Sequence, residues 1–192
     1  MDESSLSNMS NSLISKETEV SSSFESQKPT AEDLNSHIIT SIILNLKELM
    51  EENGQKNNIK KNYRDIFYLS KIPSISLDDY IRRLVKMTKM EISSLIISIM
   101  YIDRFCDKYK YVLNMYNIYK IVLATCLISI KYNEDNFIGT KQYSEIVGVT
   151  IRDLNILEYQ MFVLLDYNLF IENGYYKEYY DYFLKYNKDK EQ

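Results

Sequence analysis

Between Ile118 and Ile130 only Lys120, Thr125 and Ser129 are clearly non-apolar. A helix of this length that is oily on every side has no face to give to water, so it must sit in the middle of a bundle with other helices around it. The run is well short of the roughly 20 residues that a bilayer span requires, and no other apolar run in the chain approaches that length. The fold class follows: all-α, one central helix wrapped by about five amphipathic ones.

The wrapping helices are legible from their spacing. Residues 32–52 carry Ile38, Ile39, Ile42, Ile43, Leu46, Leu49 and Met50 on one broad face. A polar gap over 53–62 and an irregular lead-in, 63–75, follow. Ser76 then caps a helix from Leu77 to Thr88, with Asp78 and Asp79 in its first turn to suit the helix dipole. The next helix spans Glu91–Lys108, and the central one spans Asn114–Ser129. Beyond the polar stretch 131–139, Lys141–Val147 forms a short helix that Gly148 terminates. Thr150 and Asp153 make a capping-box-like start for a helix carrying Glu158, and the tyrosine-rich stretch Tyr175–Tyr186 packs back as the last helix. No repeat and no strand pattern competes. Residues 1–31 are rich in Ser, Asn, Glu and Gln and cannot bury enough apolar area to offset their ordering entropy, so a disordered tail is expected there. A single domain over 32–184 and a polar tail over 185–192 complete the expected organisation.

Composition narrows the function classes. A net charge of -4 argues against a dedicated nucleic-acid binder, and the N-terminus lacks the apolar core of a signal peptide. A soluble, intracellular chain is expected, with nucleus and cytoplasm both open. Cys106 and Cys126 lie inside apolar helical stretches and read as buried thiols of a reducing compartment. His37 is the only histidine, so the usual zinc ligand sets and histidine-based triads have no members to draw on. The four glycines do not cluster into a phosphate-cradling loop. No enzyme, metal or cofactor is expected.

Two carboxylates stand where helical spacing calls for apolar residues. Asp103 lies four residues after Ile99 and seven after Ile96; Glu158 lies four after Leu154 and four before Phe162. A buried charge costs several kcal/mol unless a cation, a set of donors or another protein answers it. Glu158 could be a core carboxylate bonded to Lys131 or to loop amides, or it could await groups from another polypeptide. Lys131 could simply complement the dipole at its helix C-terminus. Arg82 and Arg83 flank the apolar stripe of their helix about equally, so spacing does not choose a partner for Asp103.

Several strings occur together in order: Pro73-Ser74-Ile75-Ser76, Tyr80-Ile81-Arg82-Arg83-Leu84, Tyr101-Ile102-Asp103-Arg104-Phe105, Ser129-Ile130-Lys131-Tyr132-Asn133-Glu134-Asp135, Leu157-Glu158, and Leu165-Asp166-Tyr167-Asn168-Leu169. Their order and spacing resemble the cyclin box, specifically the single-box P/U-type branch similar to the yeast phosphate-pathway cyclins. The resemblance runs from about Asp33 to Tyr182. It implies five helices around a central third, here with an extra helix before the box and another after it. It also implies a regulatory subunit that binds a cyclin-dependent protein kinase and docks its helix C through box helices 3 and 5. By resemblance Lys131 and Glu158 hydrogen-bond the kinase backbone, while Tyr132, Phe162, Tyr167 and Leu169 line the apolar side of that contact. The family pattern also pairs Asp103 with an arginine of the first box helix and selects Arg83, giving a buried structural ion pair. No membrane or nucleic-acid partner is implied, and the free protein is expected to be a monomer. The alternative is a cyclin-fold scaffold or a transcription-factor-like module without kinase activation. The first box helix lacks the Met-Arg-Ala-Ile-Leu string and the Trp of the substrate-docking patch of cell-cycle cyclins, so recruitment through that patch does not follow.

Overall fold

The computed structural model describes residues 29–56 and 65–186. Most of the expected N-terminal tail, of the polar gap and of the C-terminal polar tail lies outside the described residues. The chain divides at Ala31 into two units, and the architecture below is that of the second, Glu32–Gln192.

Seven helices and no strand are present among the described residues: α1 (Ala31–Lys56), α2 (Leu77–Thr88), α3 (Ile92–Tyr109), α4 (Ile118–Asn133), α5 (Thr140–Val147), α6 (Ile151–Leu164) and α7 (Asn173–Lys185). Helix α4 is the centre. Every residue from Ile121 to Ile130 is buried, as are Ile118 and Tyr119. It packs most extensively on α3 and then on α6. Tyr80 of α2 meets Tyr119 edge-on at 5.1 Å, and the buried Tyr143 of α5 donates to the Leu123 carbonyl at 3.4 Å. Thus α2, α3, α5 and α6 surround α4, as its all-round apolarity requires.

Helices α1 and α7 complete the molecule from outside. His37 Nε2 donates to the Leu184 carbonyl at 3.1 Å, and Asn45 donates to the Tyr182 hydroxyl at 3.0 Å. Arg82 of α2 reaches Thr40 of α1 at 2.9 Å and Asp78, one turn back in its own helix, at 2.7 Å.

The few polar side chains of α4 find fixed partners. Thr125 donates to the Ile121 carbonyl within the helix, and Ser129 donates across to the Ser94 carbonyl of α3 at 2.7 Å. Lys120, half-buried, bonds the carbonyls of Ile66 at 2.7 Å and Tyr68 at 3.2 Å, pinning the irregular lead-in to the helix wall. The turn before α4 is built on two buried asparagines. Asn117 Oδ1 accepts the Asn114 amide, and Asn114 Oδ1 accepts the Tyr116 amide, both at 2.9 Å.

Helix boundaries follow the signals in the sequence. Ser76 accepts the Asp79 amide and Thr150 the Asp153 amide, each closing the first turn of its helix. Gly148 ends α5 with φ of 69°, a left-handed backbone that glycine enters without steric penalty.

Of the two thiols, Cys126 is buried and Cys106 only half-buried, so the expectation of two buried cysteines holds for one of them. Burial pushes Cys126 up to about 12 from its ordinary 9.0. Cys106 is also raised to about 12, by burial first and then by the charge of Asp103. Tyr101, whose hydroxyl donates to the Leu169 carbonyl at 2.8 Å, is held up at about 12, chiefly by burial.

Two outcomes are expected. Leu154 of α6 is fully buried, so Leu154→Ala should lower the unfolding free energy by about 2–5 kcal/mol in urea titration. The folded state holds the Cys106, Cys126 and Tyr101 protons more tightly than the unfolded chain does. Their contribution is therefore complete below pH ~9 and lost as the pH climbs toward about 12. The urea midpoint should fall above that threshold, and fall less steeply in a Cys106→Ala, Cys126→Ala double variant.

Candidate functional site

Just beyond Ile130 the central helix emerges from the core, and Lys131 stands there in its last turn. Glu158 lies in the middle of α6, the helix that packs beside α4. The ammonium of Lys131 bonds both carboxylate oxygens of Glu158, at 2.7 Å and 2.8 Å. The side chains are 27% and 22% exposed, so the pair is neither sealed in the core nor fully solvated. An ion pair this open to water contributes on the order of 1 kcal/mol or less to stability. Its chemistry is not exhausted: an ammonium has a third donor, and a carboxylate keeps acceptor lone pairs beyond the two in use.

The position of Lys131 is fixed by the junction of α3 and α4. Ser129 is bonded to Ser94, Asn133 donates to the Ser129 carbonyl at 2.8 Å, and the Glu134 carboxylate accepts the Glu91 amide at 3.0 Å. Glu134 thereby caps the N-terminus of α3 from the far end of α4, where a carboxylate also complements the helix dipole.

Around the pair lies a recess of about 390 Å³ whose floor is Ile128, Phe162 and Leu169 and whose rim is Tyr132, Asn155 and Tyr159. Both rim tyrosines are exposed, and so is Tyr167, whose ring stands edge-on to Phe162 at 5.0 Å. The segment after α6 brings Tyr167 and Leu169 here. Asp166 and Tyr167 both adopt left-handed backbone, with φ of 55° and 59°, turning the chain back over α3. Lys108 of α3 pairs with Asp166, and Arg104 donates to the carbonyls of Asn168 at 2.6 Å and Phe170 at 3.3 Å.

All six residues expected at a partner contact, Lys131, Glu158, Tyr132, Phe162, Tyr167 and Leu169, are therefore brought together. Tyr159, Asn155 and Ile128 join them and were not anticipated. Tyr159 directly follows Glu158 and is exposed, a signal that the tyrosine-rich composition masked.

The expected ion pair between Arg83 and Asp103 is not formed. Asp103 is exposed and accepts a hydrogen bond from the Tyr179 hydroxyl of α7. Arg83 is exposed too, and donates to the Ile146 carbonyl at 3.4 Å. The reason lies in α3, which is buried on all sides from Ser94 to Ile102. On such a helix the apolar spacing marks no single inward face, and Asp103 is the first exposed position after the buried run.

The sequence matches the cyclin family over residues 3–169. It is 25% identical over 151 residues to Cyclin-U2-1 of Arabidopsis thaliana, covering 75% of this chain and 68% of that protein. It is 20% identical over 162 residues to Cyclin-U4-1 of the same plant, covering 81% of this chain and 80% of that protein. It is 30% identical over 113 residues to the PHO85 cyclin-like protein psl1 of Schizosaccharomyces pombe, covering 58% of this chain and 46% of that protein. Among the described residues no helix is long and apolar enough to cross a membrane.

A direct check separates the two carboxylates. Asp103→Ala should shift the unfolding free energy by less than about 1 kcal/mol, the scale for an exposed group. A buried, paired Asp103 would instead show a loss of roughly 3–5 kcal/mol.

Proposed function

We propose that this chain, which belongs to the cyclin family and to its P/U-type branch, is the regulatory subunit of a cyclin-dependent protein kinase. The observation that carries the reading is the half-open Lys131–Glu158 pair set among apolar and aromatic side chains. An ion pair placed to stabilise the fold gains nothing from exposed tyrosines around it. One placed to receive a partner's backbone gains from both: the spare donor and acceptor take a carbonyl and an amide, and the aromatic rim excludes water from them.

The mechanism is mechanical rather than catalytic. The docked face, made by α4, α6 and the segment after α6, presses on helix C of the kinase. That helix carries the glutamate that must pair with the ATP-binding lysine, and an inward position restores the pair. The cyclin contributes a rigid platform and no reacting group. Preorganisation of that platform by the α3–α4 junction keeps the ordering cost of docking low.

The test uses the full chain and a panel of recombinant cyclin-dependent kinases, with affinity measured by calorimetry and phosphorylation of a generic peptide measured in parallel. At least one kinase should bind and gain activity. Glu158→Ala and Lys131→Glu should each weaken binding by about 2–5 kcal/mol, roughly thirtyfold or more. Their melting temperatures should stay within a few degrees of the parent, because the pair is worth only about 1 kcal/mol to the fold. Normal binding by both variants would sink the assigned interface.

A further inference from the structure

Phe170 is the most exposed large apolar side chain among the described residues, with 67% of its surface open to water. Its setting is unusual for a side chain so placed. Leu169 before it is buried and lines the recess, and Ile171 after it packs against the core, while Phe170 between them faces outward. The backbone around it is tied down. Arg104 bonds the carbonyls on either side of Leu169, Tyr101 bonds the Leu169 carbonyl itself, and Lys108 holds Asp166 at the start of the segment. A disordered loop with a phenylalanine at its tip would lose much freedom on binding; this one has lost it already.

We propose that Phe170 is a second anchor for the kinase, entering an apolar cup on the partner, with Arg104 acting as the positioning residue that aims it. This inference rests on the docking reading above and deepens it. The occupant is the same kinase, because the segment continues the proposed contact without a break: Tyr167 stands against Phe162, Leu169 forms part of the recess, and Phe170 is the next residue. A clamped aromatic beside a charged pair has the make-up of an interface hot spot, in which one large side chain supplies affinity that the half-solvated polar pair does not. It also supplies selectivity, since only a kinase with a matching cup gains from it.

The experiment takes the kinase that binds best from the panel and measures dissociation constants for the full chain and six variants. Phe170→Ala should weaken binding at least about tenfold with no change in melting temperature, and Phe170→Leu should recover part of the loss. Arg104→Ala should also weaken binding, and its effect should largely vanish when it is combined with Phe170→Ala. A purely structural arginine would instead give additive losses. Lys131→Glu serves as the reference. If Phe170→Ala binds like the parent while Lys131→Glu does not, the second anchor is wrong and the docking reading stands. If Lys131→Glu and Glu158→Ala also bind like the parent, or no kinase in the panel binds, the docking reading falls and takes the anchor with it. Sedimentation of the free protein closes the remaining route. If Phe170→Ala dissolves a self-associated form and leaves kinase affinity untouched, Phe170 serves contacts between copies of this chain, and the proposal is overturned.

Discussion

The burial of α4 on every side is the constraint from which the rest of the molecule follows. A helix enclosed in this way can keep only those polar groups that its own backbone or its neighbours satisfy, and the remainder must lie at its ends. At the N-terminal end, Asn114 and Asn117 build a hydrogen-bonded turn. At the C-terminal end, Lys131, Asn133 and Glu134 follow one another where the helix leaves the core. Lys120 is the exception along the wall, and it is accommodated because the lead-in offers it two carbonyls. The position of the polar site is thus set by the core rather than added to it.

The same junction controls precision. Ser129 reaches Ser94 and Glu134 reaches the Glu91 amide, so the ends of α3 and α4 are fixed in register to each other. Since α6 packs on α4, the ammonium and carboxylate of the site are held at bonding distance by the core packing of the two helices that carry them. A site supported in this way needs little rearrangement to be used.

Much of this architecture was legible in the sequence because single residues carried unambiguous physical signals. The apolar run Ile118–Ile130 dictated a central helix, while Ser76, Thr150 and Gly148 marked helix ends where they are found. Lys131 as the partner of Glu158 was one of the readings left open, and spacing could not choose it. Asp103 misled because its helix is enclosed for nine consecutive residues, Ser94–Ile102, so periodicity there has no direction to report. Arg82 and Arg83 were indistinguishable by spacing, and neither bonds Asp103: Arg82 takes Asp78 and Thr40, and Arg83 the Ile146 carbonyl. The capping of α3 by Glu134 and the clamping of residues 168–170 by Arg104 are contacts between positions dozens of residues apart, with no periodicity to betray them.

Tyr167 has a further meaning. A left-handed backbone at φ of 59° is a conformation that a bulky residue enters only at a penalty, whereas glycine adopts it freely. A turn selected only for reversing the chain would therefore favour glycine, which would relieve on the order of 1 kcal/mol of torsional strain. The position instead carries a phenol ring, beside Asp166 in the same left-handed backbone. The fold accepts that torsional cost while the ring packs edge-on against Phe162 and leaves more than half of its surface open to water.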